Sequence, residues 1–391
     1  MCPATADDTT TYLHCFMKIY ELSTLDKLNK AFRECSRISS WKESVQRYKM
    51  NLIVNNLQLQ EDLRNGTYVV SPTTDFDLNE RGKLRHIEAP SIRDRIVQKV
   101  LCQEILIPQL TKPLIYDNYA SLKNRGTSFA RKRISVLLQR FLRKHNNGYV
   151  LQIDIKSYFD SVDHTVLKQM IHKRLNESEE VMDLIDYIID TSSESDKGLN
   201  LGSEAPQIFA IYYLSPVDSY IKTVKGVKYY GRYMDDMFIF GESKEELKQL
   251  LNGIKNELSK LHLEVNEKKT HIVKLSHGFT FMQIKYNVDN GRVTKRLTRK
   301  KIVRERRRLK KHKKLLDKNI VDIGYIQNCY LSWRNNVIKE HNACKHTIIS
   351  LDTLFKKLFE IIPKKRKQTR EDILKEAFRD NRQYAEMILN Y

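Results

Sequence analysis

Two adjacent aspartates have the spacing of a metal site. Asp235 and Asp236 lie in residues 227–241, where apolar runs at 227–230 and 237–240 flank Tyr233-Met234-Asp235-Asp236. This pattern predicts a β-hairpin with both acids at its tip. Adjacent carboxylates repel each other unless cations neutralise them, and hard oxygen ligands suit Mg²⁺. The hairpin tip is therefore a candidate metal site.

A third aspartate, Asp154, lies near the end of an apolar run at residues 149–155 that predicts a buried strand. A carboxylate there is costly unless a cation or a donor meets it. The alternative is that Asp154 caps the next turn, the role that we assign to Asp160 and Asp163 before a helix at 166–175. With the other two acids on a neighbouring strand, Asp154 would complete a site for two metal ions about 4 Å apart, a geometry that serves phosphoryl transfer.

The charge of the chain indicates a polyanionic partner. Lys and Arg outnumber Asp and Glu by 69 to 48 in 391 residues, which gives a net charge of +21. Residues 291–314 carry fourteen Lys or Arg and one acid, and their apolar positions are loosely helical in spacing. This segment is expected to present cations to a phosphate backbone, and we single out Arg304, Arg306, Arg307, Arg308, Lys310 and Lys311. A merely solvated basic surface is the alternative.

A second basic cluster, Lys364, Lys365, Arg366 and Lys367, follows Pro363. It fits a linker or a localisation-like tract as well as it fits phosphate contact.

The helices and strands that would position these residues are predicted from the spacing of apolar residues along the chain. Residues 11–65, 92–110 and 128–145 have helical patterns, and residues 68–90 have the pattern of strands and turns. The length predicts two or three closely packed subdomains. The chain has no apolar run of eighteen residues, so we expect a soluble, intracellular protein. Six scattered cysteines indicate neither a disulfide framework nor a zinc site.

The motifs together resemble those of reverse transcriptases. The segment Tyr233-Met234-Asp235-Asp236, preceded by Asp154 with Phe159 five positions on, resembles their catalytic signature. Other segments resemble further motifs of the bacterial enzymes found in group II introns, retrons, diversity-generating elements and antiphage defence, and they occur in the order 85–98, 119–127, 198–207, 261–270 and 279–282. The resemblance covers residues 80–285. It departs from the family pattern at Leu122, Leu201 and Pro206, where Arg, Gln and Ser are usual in particular branches.

The resemblance implies an α+β right-hand polymerase fold. An N-terminal helical extension would occupy residues 1–80, fingers and palm 81–285, and a basic helical thumb 286–391. Two Mg²⁺ ions, which Mn²⁺ could replace, would bind at Asp154, Ile155, Asp235 and Asp236. Phe159 would wall the sugar pocket, and the other nucleotide contacts would be Lys123, Arg125, Gly202, Gln207 and Lys269.

The implied partners are an RNA template, a DNA or RNA primer and dNTPs in a bacterial cytoplasm. The template is expected to be a structured noncoding RNA, and the family also allows a homo-oligomer or an accessory protein. Leu201 and Gln207 favour a defence or diversity-generating enzyme over a retron enzyme. An RNA-directed RNA polymerase and a non-catalytic RNA-binding scaffold remain alternatives. Because the residues after Met282 are basic and helical in pattern, we expect no ribonuclease H domain.

Overall fold

The structure is a computed structural model that describes residues 17–80, 83–200, 202–289 and 291–361. The described chain forms two compact units, each built from segments that are separate in sequence. The first unit contains residues 17–114, 157–216 and 260–263, and the second contains residues 115–156, 217–259 and 264–361. Among the described residues, no helix has both the length and the apolar character needed to cross a membrane.

Helices outweigh strands in this architecture. The strands are β1 Thr74–Glu80, β2 Lys83–Ala89, β3 Tyr149–Ile153, β4 Tyr230–Tyr233, β5 Asp236–Gly241, β6 His271–Lys274, β7 Phe279–Phe281, β8 Ile284–Asp289 and β9 Arg292–Leu297. The α-helices are α1 Ile19–Leu22, α2 Leu25–Ser36, α3 Glu43–Met50, α4 Leu52–Arg64, α5 Ile92–Leu101, α6 Ile107–Leu110, α7 Thr127–Lys144, α8 Tyr158–Ser161, α9 His164–Arg174, α10 Glu179–Asp190, α11 Glu204–Tyr213, α12 Ser215–Ser219, α13 Lys244–Lys260, α14 Arg299–Asp317, α15 Ile323–Glu340 and α16 Lys345–Phe359. Short π-helical turns occupy Cys102–Leu106 and Tyr220–Val224.

The first unit is mainly helical, with one antiparallel hairpin, β1–β2, that pairs Thr74 with Ala89. The predicted cap at Asp163 is confirmed, because its carboxylate accepts from the Val166 amide at 3.1 Å and satisfies a free donor at the start of α9. The same expectation for Asp160 is wrong, since this residue lies inside α8.

The second unit contains an antiparallel sheet in the order β4-β5-β3-β6. Strand β3 pairs with β5 from Tyr149 opposite Gly241 to Ile153 opposite Met237. The end of β3 therefore lies beside the beginning of β5. This register brings Asp154, one residue past β3, to the same end of the sheet as the β4–β5 turn.

Helix α7 covers one face of this sheet. Its apolar residues recur at helical spacing on one side, which buries them together with Phe238 and Phe240 of β5. The three-stranded sheet β7-β8-β9 contributes Phe281 and Tyr286 to the same core. Arg131 of α7 donates to the Met282 carbonyl in the β7–β8 turn and pairs with Glu340 of α15.

The prediction of a helix across residues 291–314 is only partly correct. Residues Arg292–Leu297 form β9, which pairs along its whole length with β8, and the helix α14 begins at Arg299. Cross-strand pairing with β8 outweighs the weak helical spacing here. Helices α14, α15 and α16 then enclose a small core around Leu309, Tyr330 and Phe355.

Candidate active site

The turn between β4 and β5 carries the two adjacent acids. Tyr233 pairs with Asp236, so Met234 and Asp235 form a tight two-residue turn in which Met234 has a φ of +53°. The predicted hairpin with acids at its tip is confirmed. Its first strand begins at Tyr230 rather than at residue 227, because the Val227 amide instead donates to the Ile221 carbonyl at 3.0 Å.

A buried ion pair supports this turn. Arg232 of β4 is fully buried, and its Nε donates to Asp218 Oδ1 at 3.0 Å. Its Nη1 donates to the Met234 carbonyl at 3.1 Å. Neither Arg232 nor Asp218 was predicted from the sequence to support the site. The available signal was a charged residue inside an otherwise uncharged strand, which requires a partner.

The backbone around Asp154 is fixed by residues 264–270. The Asp154 carbonyl accepts from the Asn266 amide at 2.7 Å, and its own amide donates to Thr270 Oγ1 at 3.4 Å. The next residue, Ile155, is buried and forms a β-bridge with Val265. These contacts fix the position of the backbone that carries the Asp154 carboxylate.

Lys269 forms an ion pair with the Asp154 carboxylate. Its Nζ donates to both carboxylate oxygens at 2.9 Å, and this hydrogen bond raises the pKa of Lys269. A phosphate contact was predicted for Lys269, but in the structure its ammonium group lies within the acid cluster, by which we mean Asp154, Asp235 and Asp236. A cation thus already partly neutralises Asp154.

Asp236 shows that the three acids share one electrostatic environment. Desolvation of its carboxyl group, followed by the negative charges of Asp235 and Asp154, raises the pKa of Asp236 to about 7, while Lys269 acts in the opposite direction. The residue as a whole remains exposed, so water still reaches Asp236 and the two neighbouring carboxylates contribute to the raised pKa.

The acid cluster suits a hard divalent cation. Its donors are carboxylate oxygens, and a cation would relieve the repulsion that raises the pKa of Asp236. Within the described part of the chain, no three His, Cys, Asp or Glu side chains already converge as a complete ligand set. Lys269 would therefore have to release Asp154 for all three acids to bind metal.

The two basic residues predicted to bind triphosphate lie on a loop of the same unit. Lys123 is exposed, whereas the Arg125 guanidinium lies 4.6 Å from the ring centroids of both Tyr116 and Phe129. The loop is attached to β4, because the Tyr119 amide donates to the Arg232 carbonyl at 2.9 Å. The structure therefore links this basic loop to the strand that leads into the acids.

Three other predicted nucleotide contacts lie in the first unit. The Phe159 carbonyl accepts from the Leu199 amide at 2.8 Å, and its ring is half-buried. Gly202 has a φ of +144°, and a Cβ there would lie 3.0 Å from the Glu88 carbonyl oxygen, so glycine is favoured. Gln207 is exposed on α11. Leu201, which also informed the prediction, lies outside the described residues.

Comparison with known proteins identifies the family. The family model for reverse transcriptase (RNA-dependent DNA polymerase) matches residues 73–302, which is more than half of the chain. The chain belongs to the reverse transcriptase family. The α+β fold of a right-hand polymerase is confirmed by this match, and the matched range agrees with the predicted resemblance at 80–285. Reverse transcriptase domains generally use divalent metal ions.

Individual relatives of this reverse transcriptase are distant. Protein YkfC of Escherichia coli K12 is 26% identical over 121 residues, a match that spans 31% of each protein. A telomerase structure from Candida albicans with a TWJ fragment of telomeric RNA has a TM-score of 0.47 and 14% identity, with 82% of this chain and 59% of that chain covered. An apo telomerase from Candida tropicalis, truncated from its C-terminal domain, has a TM-score of 0.45 and 18% identity, and the match covers 62% of this chain and 60% of that chain.

The basic surface of this reverse transcriptase follows α14. Five of the six residues predicted to contact nucleic acid are exposed on this helix, namely Arg304, Arg306, Arg307, Lys310 and Lys311. Arg308 differs, because its guanidinium pairs with the buried Glu305 at 2.7 Å and also donates to the Cys329 carbonyl. Arg308 therefore has a structural role, because it neutralises the buried Glu305. The second cluster, Lys364 to Lys367, lies outside the described residues.

Proposed function

We propose that this chain is an RNA-directed DNA polymerase that copies an RNA template into cDNA from a DNA or RNA primer and dNTPs. Two Mg²⁺ ions, which Mn²⁺ could replace, would bind at Asp154, Ile155, Asp235 and Asp236. The observation that carries this proposal is the placement of three carboxyl groups at one end of the β4-β5-β3-β6 sheet, where desolvation and the charges of Asp235 and Asp154 raise the pKa of Asp236, in a member of the reverse transcriptase family.

When bound, divalent ions in such a site supply electrostatic stabilisation to the attacking and leaving oxygens of phosphoryl transfer. The protein contributes fixed positions for their ligands. Residues 264–270 hold the backbone of Asp154, and Arg232 holds the turn that carries Asp235. Lys269 supplies a cation beside the acids, and we assign it a phosphate contact once Asp154 is neutralised in another way.

We assign the contacts with the incoming nucleotide to five further residues. Lys123 and Arg125 would attract the triphosphate, and the rings of Tyr116 and Phe129 already restrict the Arg125 guanidinium, which lowers the entropy cost of binding. We assign the sugar pocket to Phe159 and a backbone approach to the nucleotide to Gly202, with Gln207 on the following helix.

The template and primer would be held by a thumb. The exposed cations of α14 support this role, because one face of the helix carries charge while Leu309 packs inward. We retain the division into an N-terminal extension at 1–80, fingers and palm at 81–285, and thumb at 286–391.

The biological role is proposed from resemblance. The motif containing Leu201 and Gln207 resembles that of enzymes of antiphage defence and of diversity-generating elements. The partial match to an Escherichia coli protein supports a bacterial origin, and we propose a cytoplasmic setting. The template would be a structured noncoding RNA, with a homo-oligomer or an accessory protein as further partners. A retron enzyme is the second candidate. Sequencing the RNA and cDNA bound to the purified protein distinguishes these roles.

The activity is tested by primer extension on an RNA template with dNTPs and Mg²⁺. The variant Asp235→Asn/Asp236→Asn should lose incorporation, since a two-metal site supplies several kcal/mol of transition-state stabilisation, while its RNA affinity stays within a few-fold. The control Glu245→Gln/Glu246→Gln removes the same charge from exposed positions on α13 and should remain active.

Two outcomes would contradict the proposal. Extension by the double aspartate variant would remove these acids from catalysis. Tight RNA binding by a wild-type protein that incorporates no nucleotide with Mg²⁺ or Mn²⁺ would favour the RNA-binding scaffold instead.

A further inference from the structure

A basic pocket lies between the last turns of α7 and the segment that leads into β4. Its volume is about 410 Å³, and its lining residues are Leu137, Arg140, Arg143, Lys144, Lys228 and Tyr229. Leu137 is buried, the four cationic residues are exposed and Tyr229 is half-buried. We call these six residues the basic pocket.

The charges of the basic pocket are not neutralised within the described part of the chain. None of its four Lys or Arg side chains forms an ion pair there, and α7 carries six Lys or Arg and no acid. An acid at this end of the sheet, Glu242, pairs with His145 at 3.2 Å. Four adjacent cations without acids repel one another, so an anionic ligand would stabilise the pocket.

A helix C-terminus favours basic residues by itself, because the carbonyl ends carry partial negative charge. That effect accounts for Arg143 and Lys144 in the last turn of α7. It does not account for Lys228, which comes from a different segment and faces the same pocket. The two segments are fixed together, since the Phe141 ring of α7 contacts the Tyr229 ring edge-on at 5.3 Å between centroids.

The basic pocket lies at the end of the sheet opposite the acids. The Tyr229 carbonyl accepts from the Phe240 amide, next to Gly241, which pairs with Tyr149 at the start of β3. The acids lie at the other end, beyond Ile153. Because a five-residue strand is about 15 Å long, a ligand in this pocket cannot touch the reacting atoms.

We infer that the basic pocket is a second RNA-binding site, which holds the phosphate backbone of the template RNA away from the catalytic end of the sheet. The choice of RNA rests on the proposed function. Two guanidinium groups provide planar, bidentate donors that suit phosphate oxygens, and two ammonium groups add charge. The half-buried Tyr229 ring offers a face or an edge to a ribose or a base.

An acidic protein segment is a poorer ligand for this pocket. Protein interfaces place exposed apolar or aromatic anchors at their centres, and the apolar side chain in the basic pocket, Leu137, is buried. Apart from the half-buried Tyr229 ring, the remaining lining is cationic, so recognition depends mainly on phosphate-like charge spaced along a chain.

The test measures the affinity of the full-length protein for a fluorescein-labelled RNA hairpin by anisotropy, over a series of KCl concentrations and without dNTPs. The variant is Arg143→Ala/Lys228→Ala. Its matched control is Lys244→Ala/Lys248→Ala, which removes the same charge from exposed positions of α13 that lie beside Glu245 and Glu246. A second variant, Arg143→Lys/Lys228→Arg, keeps the charge of the pocket.

The pocket variant should lower the magnitude of the log affinity versus log salt slope by about 1.4 to 1.8, and near 0.1 M salt it should bind roughly tenfold or more weakly. The control should bind like wild type, and the charge-keeping variant should keep the wild-type salt slope because the number of phosphate charges it neutralises is unchanged. RNA that carries 4-thiouridine should also crosslink to peptides that contain residues 137–144 or 228–229.

Three outcomes would overturn the inference: equal slopes for the pocket variant and its control, a slope as shallow in the charge-keeping variant as in the alanine variant, or competition by polyglutamate as effective as that by unlabelled RNA. Because no nucleotide is incorporated in this assay, a failure of polymerase activity leaves its result unaffected. The two proposals can therefore fail separately.

Discussion

The Asp218 carboxylate holds the Arg232 guanidinium inside the second unit, where both side chains are buried. The Tyr230 hydroxyl donates to the same carboxylate at 2.5 Å. Buried ion pairs contribute little net stability compared with apolar side chains of similar size. The pair is better explained by geometry, because it aims Arg232 Nη1 at the Met234 carbonyl in the turn that carries the acids.

Replacing Arg232 with Met should therefore impair both stability and catalysis. The change leaves the Asp218 charge buried without its partner, which costs about 3–5 kcal/mol, and it removes the donor to Met234. Chemical denaturation measures the first effect, and primer extension at saturating substrate measures the second.

The variant Arg232→Met/Asp218→Asn separates the two effects. It removes both charges and keeps an acceptor for the Tyr230 hydroxyl, so most of the lost stability should return. The kcat should remain low because the Met234 carbonyl still lacks its donor. If kcat recovers together with stability, the ion pair has no positioning role.

Local features of this fold were predictable from the sequence. Two flanking apolar runs located the hairpin around Asp235 and Asp236, and side-chain capping chemistry located the start of α9 at Asp163. Each of these features depends on residues within a few positions of one another, so the sequence contains the whole interaction.

The contacts that complete the site were not predictable in this way. Lys269 meets Asp154 across 115 positions, and Arg232 meets Asp218 across fourteen. Such pairs depend on how strands and loops pack, which periodicity does not determine. The strand β9 was missed for the same reason, because its pairing with β8 overrides its own weak pattern.

In the absence of divalent ions, the pH dependence of the protein's stability should come in part from Asp236. The folded state raises the pKa of this carboxyl group from 3.8 to about 7, so it binds a proton more tightly than the unfolded chain does. The free energy of unfolding should consequently fall as pH rises from about 4 to about 7, and Asp236→Asn should weaken this fall.

Thermal denaturation in EDTA across this pH range measures the effect, with Asp289→Asn as a control at an exposed acid. Added Mg²⁺ should stabilise the wild type more above pH 7 than below it, because the proton and the metal compete for the same oxygens. Equal pH profiles for the wild type and Asp236→Asn would mean that the three carboxyl groups are not coupled.

Neighbouring arginines of α14 should have different roles. Arg306 and Arg307 are exposed, so Arg306→Ala/Arg307→Ala should lower the magnitude of the salt slope of RNA binding by about 1.4 to 1.8 if each contacts a phosphate. Arg308→Ala should instead destabilise the protein by about 1–3 kcal/mol, since Glu305 would stay buried without its partner. RNA titrations over a salt series and chemical denaturation distinguish the roles, and an unchanged slope in the double variant would exclude these two phosphate contacts.

Sugar selection tests the DNA-polymerase proposal through Phe159. This residue and Tyr158 lie together in α8, but only Tyr158 is buried, with its hydroxyl group donating to the Ala210 carbonyl. The half-buried Phe159 ring is less suited to a purely structural role, and a ring against the ribose would exclude a 2′-hydroxyl by a clash.

Phe159→Ala should therefore raise rNTP incorporation relative to dNTP by at least about tenfold, with dNTP insertion only moderately slowed, because removing the ring removes the clash. Single-nucleotide incorporation measures both rates. The control Tyr158→Phe keeps both rings and loses one hydrogen bond, so it should cost about 1 kcal/mol of stability and keep the preference for dNTP. An unchanged sugar ratio in Phe159→Ala would place this ring outside the sugar pocket, and a wild-type preference for rNTP would favour an RNA-directed RNA polymerase.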